Sequence, residues 1–133
     1  MAAEVPDDAL VIRGGDPHEP ERFKTMIEQA QLAHSRGLGY SLSTYAGNDH
    51  TLGRDGLIAQ IATVGPIPNR MLAVTTAHQL RESNCELVPS GPLPCHVRVV
   101  LGRNPDPERV KDFVGVFGQA EMNPVYQRTR RRS

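Results

Sequence analysis

The chain has 133 residues, 38% hydrophobic and 5% aromatic, and its fifteen basic residues are cancelled by fifteen acidic ones. That length and composition suit one folded domain packed with aliphatic side chains, and argue against disorder. Zero net charge demands no polyanionic partner, and no apolar stretch approaches the ~18 residues that span a bilayer.

The charge is unevenly placed. Arg128, Arg130, Arg131 and Arg132 fall in the last six residues, so residues 1–127 carry eleven basic against fifteen acidic side chains. The expected organisation is a flexible N-terminus at 1–8, a single domain over 9–122 and a basic tail over 123–133 that offers a contact to RNA phosphates. Cys85 and Cys95 lack metal-finger spacing, and no basic-plus-apolar leader precedes them. Free thiols in a reducing cytoplasm are expected.

In chain order, "ALVIRGG" (9–15) is a short apolar run closed by glycines, and reads as a strand. Asp16 as N-cap and Pro17 as first helical residue open a helix carrying Phe23, Met26, Ile27, Ala30 and Ala33 at helical spacing up to Gly37. "GYSLSTYA" (39–46) reads as a second strand, followed by the polar loop "GNDHTLGRDG". Asp55 then caps a short helix with Leu57, Ile58, Ile61 and Ala62 on one face, stopped by Gly65 and Pro66. "MLAVTT" predicts a third strand, and Thr76 with Gln79 a capping box for a helix to about Asn84. "CELVP" and "HVRVVLG", separated by "SGPLP", predict a hairpin. Asp106 and Pro107 start a last helix with Val110, Phe113, Val114 and Phe117, after which the chain turns polar. Alternation of strands and helices with a late strand pair predicts an α+β fold: one mixed sheet of about five strands with three to four helices.

Several residues are candidates for chemistry. Arg13, at a strand end beside Gly14 and Gly15, is placed to hold an anion, although a turn with a solvated Arg explains it equally. The glycines do not complete a dinucleotide-binding Gly-x-Gly-x-x-Gly. Strand alternation puts Ser41 and Ser43 on one face and Leu42 and Thr44 on the other; these hydroxyls are candidate substrate ligands. His96 and Arg98 share a strand face, as base and phosphate clamp of a metal-independent RNase would. His78 lies in the first turn of the helix that Thr76 opens, near an element end, where functional groups gather, and is a further candidate substrate ligand. No His, Asp or Glu pattern supports a metal site.

The order Arg13, Ser43-Thr44, Gln119-x-Glu121 resembles the Arg/Ser-Thr-Ser/(Gln or Glu)-x-Glu series of arginine-type ADP-ribosyltransferases. The resemblance implies NAD as substrate, with Arg13 steadying its phosphates, Ser43 positioning the nicotinamide end and Glu121 stabilising an oxocarbenium-like transition state. More broadly, the Val-x-Arg-Gly-Gly opening, the Tyr/Ser strand, Thr76 with Leu80 and the late His-x-x-Val-Val-Leu resemble small uncharacterised proteins of high-GC actinobacteria. Some of those sit in toxin–antitoxin or defence settings. The resulting expectation is a small cytoplasmic enzyme acting on RNA or NAD. The alternative is a non-catalytic module that binds a protein partner, such as a cognate antitoxin, or a second copy of itself. Convergence of Arg13, Ser43, His78 and His96 in one pocket discriminates between them.

Overall fold

The computed structural model describes residues 5–64, 67, 69–90 and 95–126. The Arg128–Arg132 tail, the Gly65-Pro66 helix stop and most of the "SGPLP" turn lie outside the described residues. In chain order the elements are β1 (Leu10–Gly14), α1 (Pro20–Ser35), β2 (Tyr40–Gly47), a 3-10 turn (His50–Leu52), α2 (Gly53–Val64), β3 (Met71–Thr76), α3 (Ala77–Glu82), β4 (Glu86–Pro89), β5 (His96–Gly102), α4 (Pro107–Val116) and β6 (Glu121–Met122).

The fold is α+β, as expected, with four helices on a single sheet of six strands in the order β4-β5-β2-β1-β3-β6. Each observed strand pairing is antiparallel, so the expected mixed sheet is corrected. Only α1 joins two neighbouring strands, which run opposite ways; α2, α3 and α4 each lead to a strand of the same direction that is not a neighbour, so no parallel pair forms. The sixth strand arises because the polar stretch after α4 turns back along β3, pairing Leu72 with Glu121.

Alternation along the strands builds two cores. Val11, Leu42, Ala73, Val97, Val99 and Leu101 meet α1, α3 and α4 on one face, where Phe113 and Phe117 pack at a centroid distance of 4.9 Å. Ile12 and Leu72 meet Leu57, Ile58 and Ile61 of α2 on the other. Because α2 lies over β1, β3 and the end of β2, the second face of β5 carries no helix, and Arg98 and Val100 there are only half-buried.

Helix starts follow their caps, with two corrections. Thr76 and Asp106 accept the Gln79 and Glu108 amide protons as N-caps should, at 3.2 and 3.1 Å. α1 begins at Pro20 and not at Pro17: Glu19 precedes a proline, which disfavours helical backbone there, and its ψ is 132°. The Asp16 carboxylate instead accepts the His18 amide proton at 3.0 Å. Likewise Asp55 lies inside α2, because Asp49 caps the 3-10 turn that runs into that helix.

Packing also extends beyond residues 9–122. Val5 is buried, and Arg81 donates to the Asp7 carboxylate at 2.6 Å. Asn123 is buried too, donating from its amide to the Ile67 and Asn69 carbonyls. Among the described residues, no helix is long and apolar enough to cross a membrane.

Phe113 is fully buried between helices and sheet, whereas Val88 on the edge strand is 38% exposed. Phe113→Ala is therefore expected to cost about 3–5 kcal/mol and Val88→Ala less than about 0.5 kcal/mol, as read from urea unfolding midpoints.

Candidate functional site: an arginine-lined cleft at the splay of two strands

The site originates where β1 leaves β2. The two strands pair over Leu10–Gly47, Val11–Ala46 and Ile12–Tyr45, and then part, while β1 continues along β3 through Arg13–Ala73 and Gly14–Leu72. Gly15, at φ +87°, turns the chain away in a conformation that favours glycine. Residues 41–44 of β2 are consequently paired with β5 on one side and with no strand on the other.

Arg13 fills that gap. Its Nη1 donates to the Ser43 carbonyl at 2.8 Å, replacing the ladder bond that β1 no longer supplies, and its Nη2 donates to Gln29 Oε1 of α1 at 2.7 Å. Burial, assisted by the like charge of Arg22, pulls the Arg13 pKa from its ordinary value down to about 10. The guanidinium remains fully charged at neutral pH.

A cleft of about 210 Å³ opens at this edge between α1 and β2, with Arg13, Arg36, Arg98, Ser41 and Ser43 in its wall. Arg98 reaches across from β5, its Nη1 donating to Ser41 Oγ at 3.1 Å and its Nη2 to Ser43 Oγ at 3.2 Å. Ser41 Oγ in turn donates towards the Leu38 carbonyl at 3.1 Å. The Arg98 Nε is buried without a hydrogen-bond partner among the described residues.

Three arginines elsewhere are matched to carboxylates, Arg54 to Glu121 and Arg81 to Asp7 at 2.6 Å and Arg109 to Asp112 at 2.8 Å, while Arg70 and Arg103 have no ion pair among the described residues. Among the described residues, Arg13, Arg36 and Arg98 have no such partner. Three guanidinium groups and two hydroxyls line one cleft without a negative charge, and a guanidinium presents forked donors whose geometry matches phosphate or carboxylate oxygens.

The candidates read from the sequence divide accordingly. Arg13, Ser41, Ser43 and Arg98 come together. His96 lies on the same sheet face as Arg98, opposite Tyr45 in register, with which it makes an edge-on ring contact at 5.6 Å. Its Nδ1 meets the Ser90 carbonyl at 3.2 Å; that carbonyl only accepts, so Nδ1 carries the proton and Nε2 of the neutral ring keeps its lone pair.

Thr44, in contrast, points into the helix-covered core and donates to the Val97 carbonyl at 2.9 Å. His78 is exposed at the start of α3, beside Asp7 and Glu82 and at the opposite end of β1 from Arg13. Glu121 is on β6, two strands from Arg13's strand and on the α2 face, where it pairs with Arg54. The Arg, Ser-Thr, Gln-x-Glu series therefore does not assemble around a common ligand position.

Arg22, Gln29 and Arg36 were not singled out from the sequence. They are spaced by seven, which places Arg22 and Gln29 on one stripe of α1 and Arg36, its C-cap, at the end of that stripe; only the position of that stripe against β2 gives the spacing meaning. Among the described residues, no group of three or more His, Cys, Asp or Glu side chains is arranged to hold a metal ion. No protein-family model, curated protein or solved structure matches the chain.

Removing Arg13 strands the Ser43 carbonyl at a half-covered edge. Arg13→Ala is expected to destabilise the fold by about 1–3 kcal/mol, whereas Arg36→Ala, at an exposed helix end, should stay within about 0.5 kcal/mol of wild type, in paired denaturant titrations.

Proposed function

We propose that this protein recognises the phosphate group of a nucleotide or RNA ligand in the cleft between α1 and β2. The observation that supports it is the set of Arg13, Arg36 and Arg98 around Ser41 and Ser43 with no carboxylate partner among the described residues. Arg98 and Arg13 act as forked donors, and the Ser43 hydroxyl, which accepts from Arg98, supplies a further donor, whereas the buried Ser41 gives its proton to the Leu38 carbonyl. Leu32, Ala33, Leu38 and Leu42 line the same cleft, and of these Leu32 and Leu38 are exposed.

A second reading rests on the placement of His96. With Nε2 unprotonated and Arg98 two residues further on the same strand face, His96 can take the proton of an RNA 2′-hydroxyl while Arg98 neutralises charge on the adjacent phosphate. This is metal-independent cleavage of RNA. The NAD-transferase version lacks an equivalent support, since Glu121 is engaged with Arg54 on β6, at the edge of the sheet away from β5.

The test is equilibrium binding of a labelled oligoribonucleotide at fixed salt. Arg98→Ala and Arg36→Ala should each weaken binding about ten- to thirtyfold, with the His96→Gln variant binding as wild type. Unchanged binding in both arginine variants overturns the proposal. For the catalytic reading, wild type should cleave the same oligoribonucleotide in EDTA and His96→Gln should not; the absence of cleavage by wild type removes that reading and leaves the binding one.

A further inference from the structure

A second cavity, of about 300 Å³, lies on the other side of Arg13, between the Gly14-Gly15 turn and the first turns of α1. It shares Arg13 and Gln29 with the cleft, so the two spaces meet across the Arg13–Gln29 hydrogen bond. Their chemistry is opposite in one respect. The cleft has no carboxylate in its wall, whereas the second cavity adds two, Glu19 and Glu21, together with the Thr25 hydroxyl.

The two carboxylates are not equivalent. Glu19 is 3.6 Å from Arg22 Nε. The Arg22 guanidinium lies against the Gly15 backbone, where any Cβ would stand within 2.3 Å of its Nη1, so this wall is set by a glycine that can be nothing larger without moving Arg22. Glu21 has no ion-pair partner among the described residues, and it is exposed to the cavity's solvent.

An unpaired carboxylate repels a second phosphate. It is, however, a strong acceptor for two neighbouring hydroxyl groups, since its two oxygens take two parallel O–H donors. We infer that the second cavity receives the ribose 2′,3′-diol of a ligand whose phosphate occupies the arginine cleft. Glu21 accepts from the diol, Thr25 and Gln29 offer further polar contacts, and Arg13 stands at the junction between sugar and phosphate. The inference rests on the phosphate reading of the cleft and narrows its ligand to ribose phosphates, excluding their deoxyribose counterparts.

The probes are ribose 5-phosphate, 2-deoxyribose 5-phosphate and inorganic phosphate, titrated into the full chain and followed by amide chemical shifts. Ribose 5-phosphate should bind about tenfold more tightly than 2-deoxyribose 5-phosphate, as expected for loss of one hydrogen bond to a charged acceptor. Glu21→Ala, at an exposed position, should abolish that preference while binding inorganic phosphate at least as tightly as wild type. Arg98→Ala should weaken all three probes alike. Equal affinity for the two sugar phosphates, or a preference that survives Glu21→Ala, overturns the diol assignment while the loss in Arg98→Ala upholds the phosphate cleft. Failure of all three probes to bind wild type saturably overturns both.

Discussion

The bond from Arg13 to the Ser43 carbonyl is the interaction on which the site depends. Two strands that part in mid-sheet leave backbone polar groups facing a gap, and such groups are costly when half-buried and unpaired. Arg13 satisfies one of them with a charged donor and ties the same side chain to α1 through Gln29. The sheet is therefore held open at that edge, and the opening is walled by a helix on one side and a strand on the other.

The arginines of this chain then separate by role. Arg54, Arg81 and Arg109 face carboxylates and tie elements together: α2 to β6, α3 to the N-terminal segment, α4 to its own next turn. Arg13, Arg36 and Arg98 come from three different elements and converge where no carboxylate meets them among the described residues. Like charges brought together without compensation oppose folding, and an anionic ligand relieves that repulsion. A net charge of zero conceals this arrangement, because the acidic residues that balance the count stand elsewhere: some pair with other arginines, Asp49 and Asp106 cap helical segments, and Glu19 and Glu21 line the cavity on the far side of Arg13.

Much of the local structure was legible in the residues. The Thr76 and Asp106 caps, the "ELVP" and "HVRVVLG" hairpin and the alternation that separates Ser41 and Ser43 from Leu42 and Thr44 all follow from short-range rules, and the structure repeats them. The errors were also local in origin. A cap-then-proline pattern at Asp16-Pro17 was overridden by a second proline at position 20, and β6 has only two residues, too short for any period to announce it. Strand direction was not accessible in this way, since a βαβ pattern does not state whether the returning strand lies beside its predecessor or two places away.

The candidate site divides along the same line. Arg13, Ser41, Ser43 and Arg98 could be named from the chain because each stands at a strand end or on a polar strand face, and such positions depend only on alternation and turns. Which of the named residues line one cleft was decided by tertiary structure. Register sets Arg98 opposite Ser43, and the sheet order sends Glu121 to the far edge and His78 to the other end of β1. The sequence by itself determined the elements, their caps and the residues on each face, since these rest on contacts within a few positions. Only the tertiary structure decided that β1 leaves β2 at Arg13 and that α1 carries Arg22, Gln29 and Arg36 past the gap, because pairings between distant segments are chosen by the burial of two whole faces at once.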